Sequence, residues 1–223
     1  MILNAIKEKF FDKGLRQHLF DKYETIGKIM GLSILQNGKL PKFFGDEILN
    51  SLIQTSPNED RCIVNLQKGL AQLGIIQILR HFPTFKHLFI PSHSESLSIR
   101  QVINLLKPNF SEEGSNSLKF EKEVYALFIK YLREVAAGRR NNMSLKNILQ
   151  FVTGMDEEPV LGYTLQPTIV FTEFESSILP TANTCINQLN LPRPSLGKPL
   201  PTNNIAVFEL YDYAFVNSYF GMA

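Results

Sequence analysis

Up to Gly154 the apolar residues of this chain recur at helical spacing, and directly after it the pattern changes to short strands. The clearest periodic stretch is Phe120, Val124, Leu127, Phe128, Tyr131, Leu132 and Val135, which follows the 3.6-residue period and closes at Gly138. Tyr23, Ile26, Met30 and Ile34 mark an earlier buried helix, with Gly27 and Gly31 on a neighbouring face where another element can approach closely. Asn37-Gly38 and Pro41 end it. A second helix is expected from Asp46 to Gln54, and a third from Asp60 to Leu79 with local breaks at Gly69 and Gly74. Ser96 or Ser98 caps a short helix that buries Val102, Leu105 and Leu106 before Pro108, and Ser144 caps the one running into Phe151. Strands follow at 168–172 and 186–191, the second alternating apolar and polar residues. An extended, proline-rich connection over 192–201 leads to a last helix from Thr202 or Asn203 to Ser218. The fold class is α/β (α+β), with a small sheet following the helices.

At 223 residues the chain is long enough for one large or two small domains. Residues 108–117, Pro-Asn-Phe-Ser-Glu-Glu-Gly-Ser-Asn-Ser, are the most linker-like stretch, polar and turn-forming. The expected division is a helical region over 1–110, a hinge over 111–117 and a mixed region over 118–223.

Net charge is +2 with acids and bases interspersed, and Arg139-Arg140 is not extended into a basic stripe, which argues against nucleic-acid binding. No apolar run approaches the roughly 18 to 20 residues of a membrane span, and Met1 to Lys7 is too short for a signal-peptide core. The expectation is a soluble protein, cytoplasmic or nuclear, without a membrane partner. Cys62 and Cys185 are the two cysteines, far apart in a chain without export signals, so no disulfide is expected. Cys62 lies in a helical pattern and is read as a packing residue. His81, His87 and His93 are six apart, off any single helical face and without a cysteine pair, so no metal site is read there, and no glycine-rich nucleotide loop is present. No cofactor is expected.

Cys185 differs from Cys62 by its loop. It is held between Pro180 and Pro192, preceded by the turn-forming Thr181, Ala182, Asn183 and Thr184, and followed by the alternating strand. Such loops are exposed and rigidly placed. A free thiol, with a pKa of about 8.5, is a few per cent thiolate at pH 7, enough for exchange between thioesters without a strong base. The Thr184 hydroxyl, the Asn183 amide and the backbone N–H groups of the turn are candidates to orient a thioester or stabilise its oxyanion.

Leu179-Pro180-Thr181-Ala182-Asn183-Thr184-Cys185-Ile186-Asn187, followed by Leu189-Asn190-Leu191-Pro192, resembles the active-site loop of the HECT family of ubiquitin ligases, which reads Leu-Pro, two variable residues, His-Thr-Cys, an apolar residue and Asn, then Leu-x-Leu-Pro. Leu149-Gln150-Phe151-Val152-Thr153-Gly154, with Pro159 and Gly162 beyond it, is similar to the family's LQFVTG segment, and the ending Phe220-Gly221-Met222-Ala223 is similar to its Phe-Gly-Leu/Met tail. Residues 26–38 resemble a helix of the family's N-terminal lobe, and the run at 108–116 looks most like ligases of the G2/M-phase-specific type.

The resemblance implies a bilobal fold with a mainly helical, shortened N-lobe over 1–110 and a mixed C-lobe over 118–223. It implies a ubiquitin-protein transferase in which ubiquitin passes from an E2 conjugating enzyme to Cys185 as a thioester, and then to a lysine of a protein substrate. Phe220, fourth from the end, would anchor the tail for the second transfer; Gly154, Pro159 and Gly162 are read as folding residues. Asn183 stands where the family has His, and Asn190 near a position that is commonly Asp. Both departures remove titratable groups, so thioester formation is expected to survive more readily than fast transfer to lysine. A cysteine peptidase would need a histidine partner, and every histidine precedes the linker. The stronger rival is a catalytically impaired HECT-like module that binds ubiquitin, an E2 or another protein, since the region before the linker is shorter than the family's N-lobe.

Overall fold

The computed structural model describes residues 2–91, 97–174, 177–201 and 203–217. The chain forms two compact units, Met1–Glu95 with Pro159–Leu161, and Ser96–Glu158 with Gly162–Ala223.

Unit 1 is helical. It comprises α1 (Ile2–Phe10), α2 (Tyr23–Leu35), α3 (Asp46–Ile53), α4 (Arg61–Ala71) and α5 (Ile75–His81), with single 3-10 segments at Gln17–Lys22 and Pro83–Leu88. Its core gathers Tyr23 and Met30 of α2, Leu49 and Leu52 of α3, Cys62, Leu66 and Leu70 of α4, and Phe44 and Phe89 from the connections. The close approach expected at Gly27 takes place against Gly69. A Cβ on Gly27 would lie 2.6 Å from the Leu66 carbonyl oxygen, and one on Gly69 would lie 2.1 Å from the Glu24 carbonyl oxygen. Gly69 therefore sits inside α4 as a point of contact, not as the break expected there. The break falls at Gly74, whose φ of +74° turns α5 away from α4 by 95°. Asp60 caps α4 by accepting the Cys62 N–H at 2.8 Å and the Ile63 N–H at 3.3 Å.

Unit 2 packs helices against one face of a four-stranded sheet. Its described elements are α6 (Ile99–Leu105), β1 (Lys107–Pro108), α7 (Asn116–Ala136), α8 (Leu145–Thr153), β2 (Thr168–Glu173), β3 (Thr181–Asn183), β4 (Gln188–Arg193) and α9 (Asn204–Val216). The order across the sheet is β1-β2-β4-β3, with β1, β2 and β4 parallel and β3 antiparallel to β4. Period-2 alternation sends Ile169 and Phe171 of β2 and Leu189 and Leu191 of β4 into a core shared with Val124, Phe128 and Leu132 of α7, Ile148 and Val152 of α8, and Val207 and Phe215 of α9. The caps expected at Ser98 and Ser144 are present, each as a reciprocal box with the third helical residue, and Asn203 caps α9. Gly154 closes α8 in the left-handed conformation, φ +75°.

The boundary between units falls upstream of the expected linker. Residues 107–117 belong to unit 2, where Phe110 stacks on Phe171 and meets Tyr125 edge-on. Ser111 donates from its N–H at 2.7 Å and from its hydroxyl at 2.6 Å to the buried carboxylate of Glu121. Polar, turn-forming composition here serves anchoring contacts, so the stretch read as a free hinge over 111–117 is tied at its start to α7. Among the described residues no single helix is long and apolar enough to cross a membrane.

Candidate active site

β3 and β4 form a hairpin whose register pairs Asn183 with Gln188, which leaves Thr184, Cys185, Ile186 and Asn187 as its four-residue turn. β3 is the edge of the sheet, and the turn joins it to its one neighbour, β4. Cys185 is exposed, and the adjoining Ile186 is 44% exposed.

Two asparagines hold this turn in shape. The Asn183 side-chain oxygen accepts the Cys185 N–H at 3.1 Å, and its backbone carbonyl accepts the Ile186 N–H at 3.3 Å, an Asx-turn that fixes the backbone around the thiol. The carboxamide nitrogen of Asn183 takes no part in that bond. Asn187 adopts a φ of +53°, the left-handed conformation that asparagine tolerates better than most residues. Its Nδ2 donates to the Leu165 carbonyl at 2.8 Å, and its own carbonyl accepts the Thr168 N–H at 2.9 Å. The end of the turn is thereby sewn to the start of β2. Sequence reasoning singled out Asn183 and did not single out Asn187. The signal available was an asparagine at the junction of a turn and a strand, but its partner lies 22 residues away.

The sequence-expected residues Asn183, Thr184 and Cys185 are brought together in this turn; Phe220 lies outside the described residues. Asn190, next but one along β4 from Gln188, accepts the Thr172 hydroxyl at 2.8 Å and donates to the Thr181 hydroxyl at 3.4 Å, bridging three strands on the face opposite the core. Thr153 of the LQFVTG stretch is buried and donates to the Leu149 carbonyl at 2.9 Å, a folding contact.

Unit 2 contains no histidine, so within it Cys185 has no imidazole base of the kind a peptidase uses. The other thiol is of a different character. Cys62 is fully buried, and burial, with the Asp60 carboxylate adding to it, pushes its pKa up to about 11. Among the described residues no group of three or more His, Cys, Asp or Glu side chains is placed to hold a metal ion. The chemistry open to the turn is nucleophilic exchange at an exposed sulfur, with backbone and carboxamide donors beside it.

Residues 87–197 match the family described as HECT-domain (ubiquitin-transferase). The chain is also 26% identical over 134 residues, 58% of its length, to the E3 ubiquitin-protein ligase etc-1 of Caenorhabditis elegans. That alignment covers 12% of the worm protein, so the chain spans a small part of this relative.

Proposed function

The chain carries a HECT-type domain, and from that premise we propose that it is a HECT-type E3 ubiquitin-protein ligase that receives ubiquitin on Cys185 and passes it to a lysine of a protein substrate. The observation that carries this reading is the exposed thiol of Cys185 in a turn braced on one side by Asn183 and on the other by Asn187. In the first step Cys185, as its thiolate, attacks the ubiquitin C-terminal carbonyl on the E2. A new sulfur–acyl bond forms, the old one breaks, and the E2 leaves as thiolate. Both bonds are thioesters, so the step is close to neutral in energy and needs positioning more than activation. In the second, a substrate amine displaces the Cys185 thiolate, and the proton it sheds passes to solvent or to the leaving sulfur.

The edge strand β3 supports the same reading. It ends two residues before Cys185, and an extended peptide pairing parallel to β3 along that edge would arrive with its carboxyl end at the sulfur. Asn183 then acts as a positioning residue, and its free carboxamide nitrogen serves the developing oxyanion.

A second reading, a catalytically impaired module that binds ubiquitin, an E2 or another protein, is favoured by one observation. The family match begins at residue 87 and leaves most of unit 1 outside it. A docking surface for the E2 is therefore without an assigned place, and Cys185 without an assigned donor.

The test is a single-turnover assay with labelled ubiquitin on a panel of conjugating enzymes, run on non-reducing gels with the chain and its Cys185→Ala variant. A reductant-sensitive adduct that disappears in the variant is the expected result. No adduct with any donor, on a folded chain, selects either the binding module or a piece of a longer ligase, and the same assay on a longer chain separates those two.

A further inference from the structure

Of the twelve prolines in this chain, Pro57 alone follows a serine or threonine. Ser56-Pro57 lies in the loop between Ile53, the end of α3, and Arg61, the start of α4. Gln54, Thr55, Ser56 and Pro57 are all exposed, so the dipeptide and the residues before it are open to an enzyme without local unfolding. Both ends of the loop are fastened. The Arg80 guanidinium donates to the carbonyls of Ile53 at 3.0 Å and Gln54 at 2.9 Å. At the other end Asn58 accepts the Asp60 N–H at 2.8 Å, while Asp60 itself caps α4. The exposed stretch is thus held between two anchors.

A shallow hollow in unit 1 has Ser56 and Lys86 both on its lining, together with Asn50, Ile53 and Pro83. The carboxylates nearest in sequence, Glu59 and Asp60, follow Ser56, and Asp60 is occupied by the α4 cap and by Gln17. A dianionic group on Ser56 is therefore repelled from the downstream side and attracted across the hollow.

We propose that Ser56 is the acceptor of a proline-directed protein kinase, and that the resulting phosphate is held by Lys86. Such a kinase transfers the γ-phosphoryl group of MgATP. The bond between γ-phosphorus and the β,γ-bridging oxygen breaks, a bond from Ser56 Oγ to phosphorus forms, the hydroxyl proton goes to the kinase base, and ADP leaves. Pro57 supplies the ring that proline-directed enzymes select, and it has no N–H to leave unpaired. Once in place the phosphate makes a charge-assisted bond with the Lys86 ammonium and ties the α3–α4 loop to the segment Pro83–Leu88. This site is independent of the chemistry at Cys185.

The test treats the folded chain with a purified proline-directed kinase and labelled MgATP. A single phosphate is expected, mapped to Ser56 by fragment mass spectrometry, absent from Ser56→Ala and at full level in Thr55→Ala. Hydrogen exchange of residues 54–60 should slow on phosphorylation of the wild-type chain, and clearly less so in Lys86→Gln, which is phosphorylated equally well. Failure of the folded chain to take up label, or label persisting undiminished in Ser56→Ala, overturns the acceptor assignment. Equal slowing in Lys86→Gln overturns the role given to Lys86.

Discussion

The side-chain oxygen of Asn183 accepts the backbone N–H of Cys185 at 3.1 Å, so the residue two places before the sulfur fixes the peptide that carries it. Asn183→Ala removes that acceptor. A hydrogen bond of this kind contributes about 0.5–1.5 kcal/mol, and a loss of that size corresponds to loading of Cys185 slowed about two- to tenfold. Asn183→Asp keeps the acceptor for the Cys185 N–H but has no carboxamide donor, so it should recover only the part of the loss that comes from that hydrogen bond. Single-turnover kinetics with both variants check this; an Ala variant as fast as wild type would leave Asn183 with no part in positioning.

Asn187 is held at φ +53° and joined to Leu165 and Thr168. Asn187→Val should be the more harmful change, combining strain in the left-handed region with loss of the Nδ2 bond, for about 2–3 kcal/mol. Asn187→Gly relieves the strain and loses only the bond, about 1 kcal/mol. The predicted order of stability, Asn above Gly above Val, is read from urea denaturation followed in unit 2.

The α2–α4 crossing admits no side chain at either glycine. Gly69→Ala would set a Cβ 2.1 Å from the Glu24 carbonyl oxygen, and only separation of the helices relieves it. Overpacking against backbone should cost about 3 kcal/mol or more. Thermal unfolding should fall sharply in unit 1, whereas Gly45→Ala, with open space around its Cβ position, should cost only the smaller loss of a poorer N-cap on α3.

Stability should depend on pH through Cys62. Burial raises its pKa to about 11 in the folded chain, above the ordinary thiol range. The folded state therefore holds the proton more tightly than the unfolded one. The contribution of the neutral thiol is full below pH 9 and is lost as pH rises toward 11. Denaturation midpoints for the wild-type chain should decline more steeply over that window than those of Cys62→Ala, which lacks the buried thiol.

Local signals carried much of the fold. Ser98, Ser144 and Asn203 cap the helices they precede because a side-chain oxygen next to free backbone N–H groups acts within one turn. What escaped depends on distant partners. β3 is three residues long, and Thr181, Ala182 and Asn183 read as turn formers until β4 pairs with them. Ser111 and Phe110 looked like linker until Glu121, Tyr125 and Phe171 were beside them. Gly69 looked like a break in a helix because sequence does not reveal which backbone will cross it. At the site, the exposure of Cys185 followed from its neighbours, but the brace by Asn187 did not, since it joins a left-handed residue to a carbonyl far back in the chain.

The direction of the strands has its own consequence. In open parallel sheets ligands gather at the carboxyl ends of the strands, yet the turn bearing Cys185 leads into the amino end of β4 and is bonded to the amino end of β2. The carboxyl ends of β2 and β4 carry Glu173 and Arg193, and Arg193 lies 3.8 Å from both Glu121 and Glu173. The antiparallel β3 is what makes the opposite end available, because it returns the chain to the amino ends as a hairpin.

The contrast between the two thiols makes the wild-type chain a natural single-site substrate for labelling. Cys62 is sealed in the core of unit 1 and kept protonated, while Cys185 stands in an open turn. A maleimide dye or spin label applied under native conditions will therefore mark the tip of the β3–β4 hairpin without any cysteine having to be engineered out. Spectroscopy of that turn, and of whatever comes to rest on it, can begin with the protein unaltered.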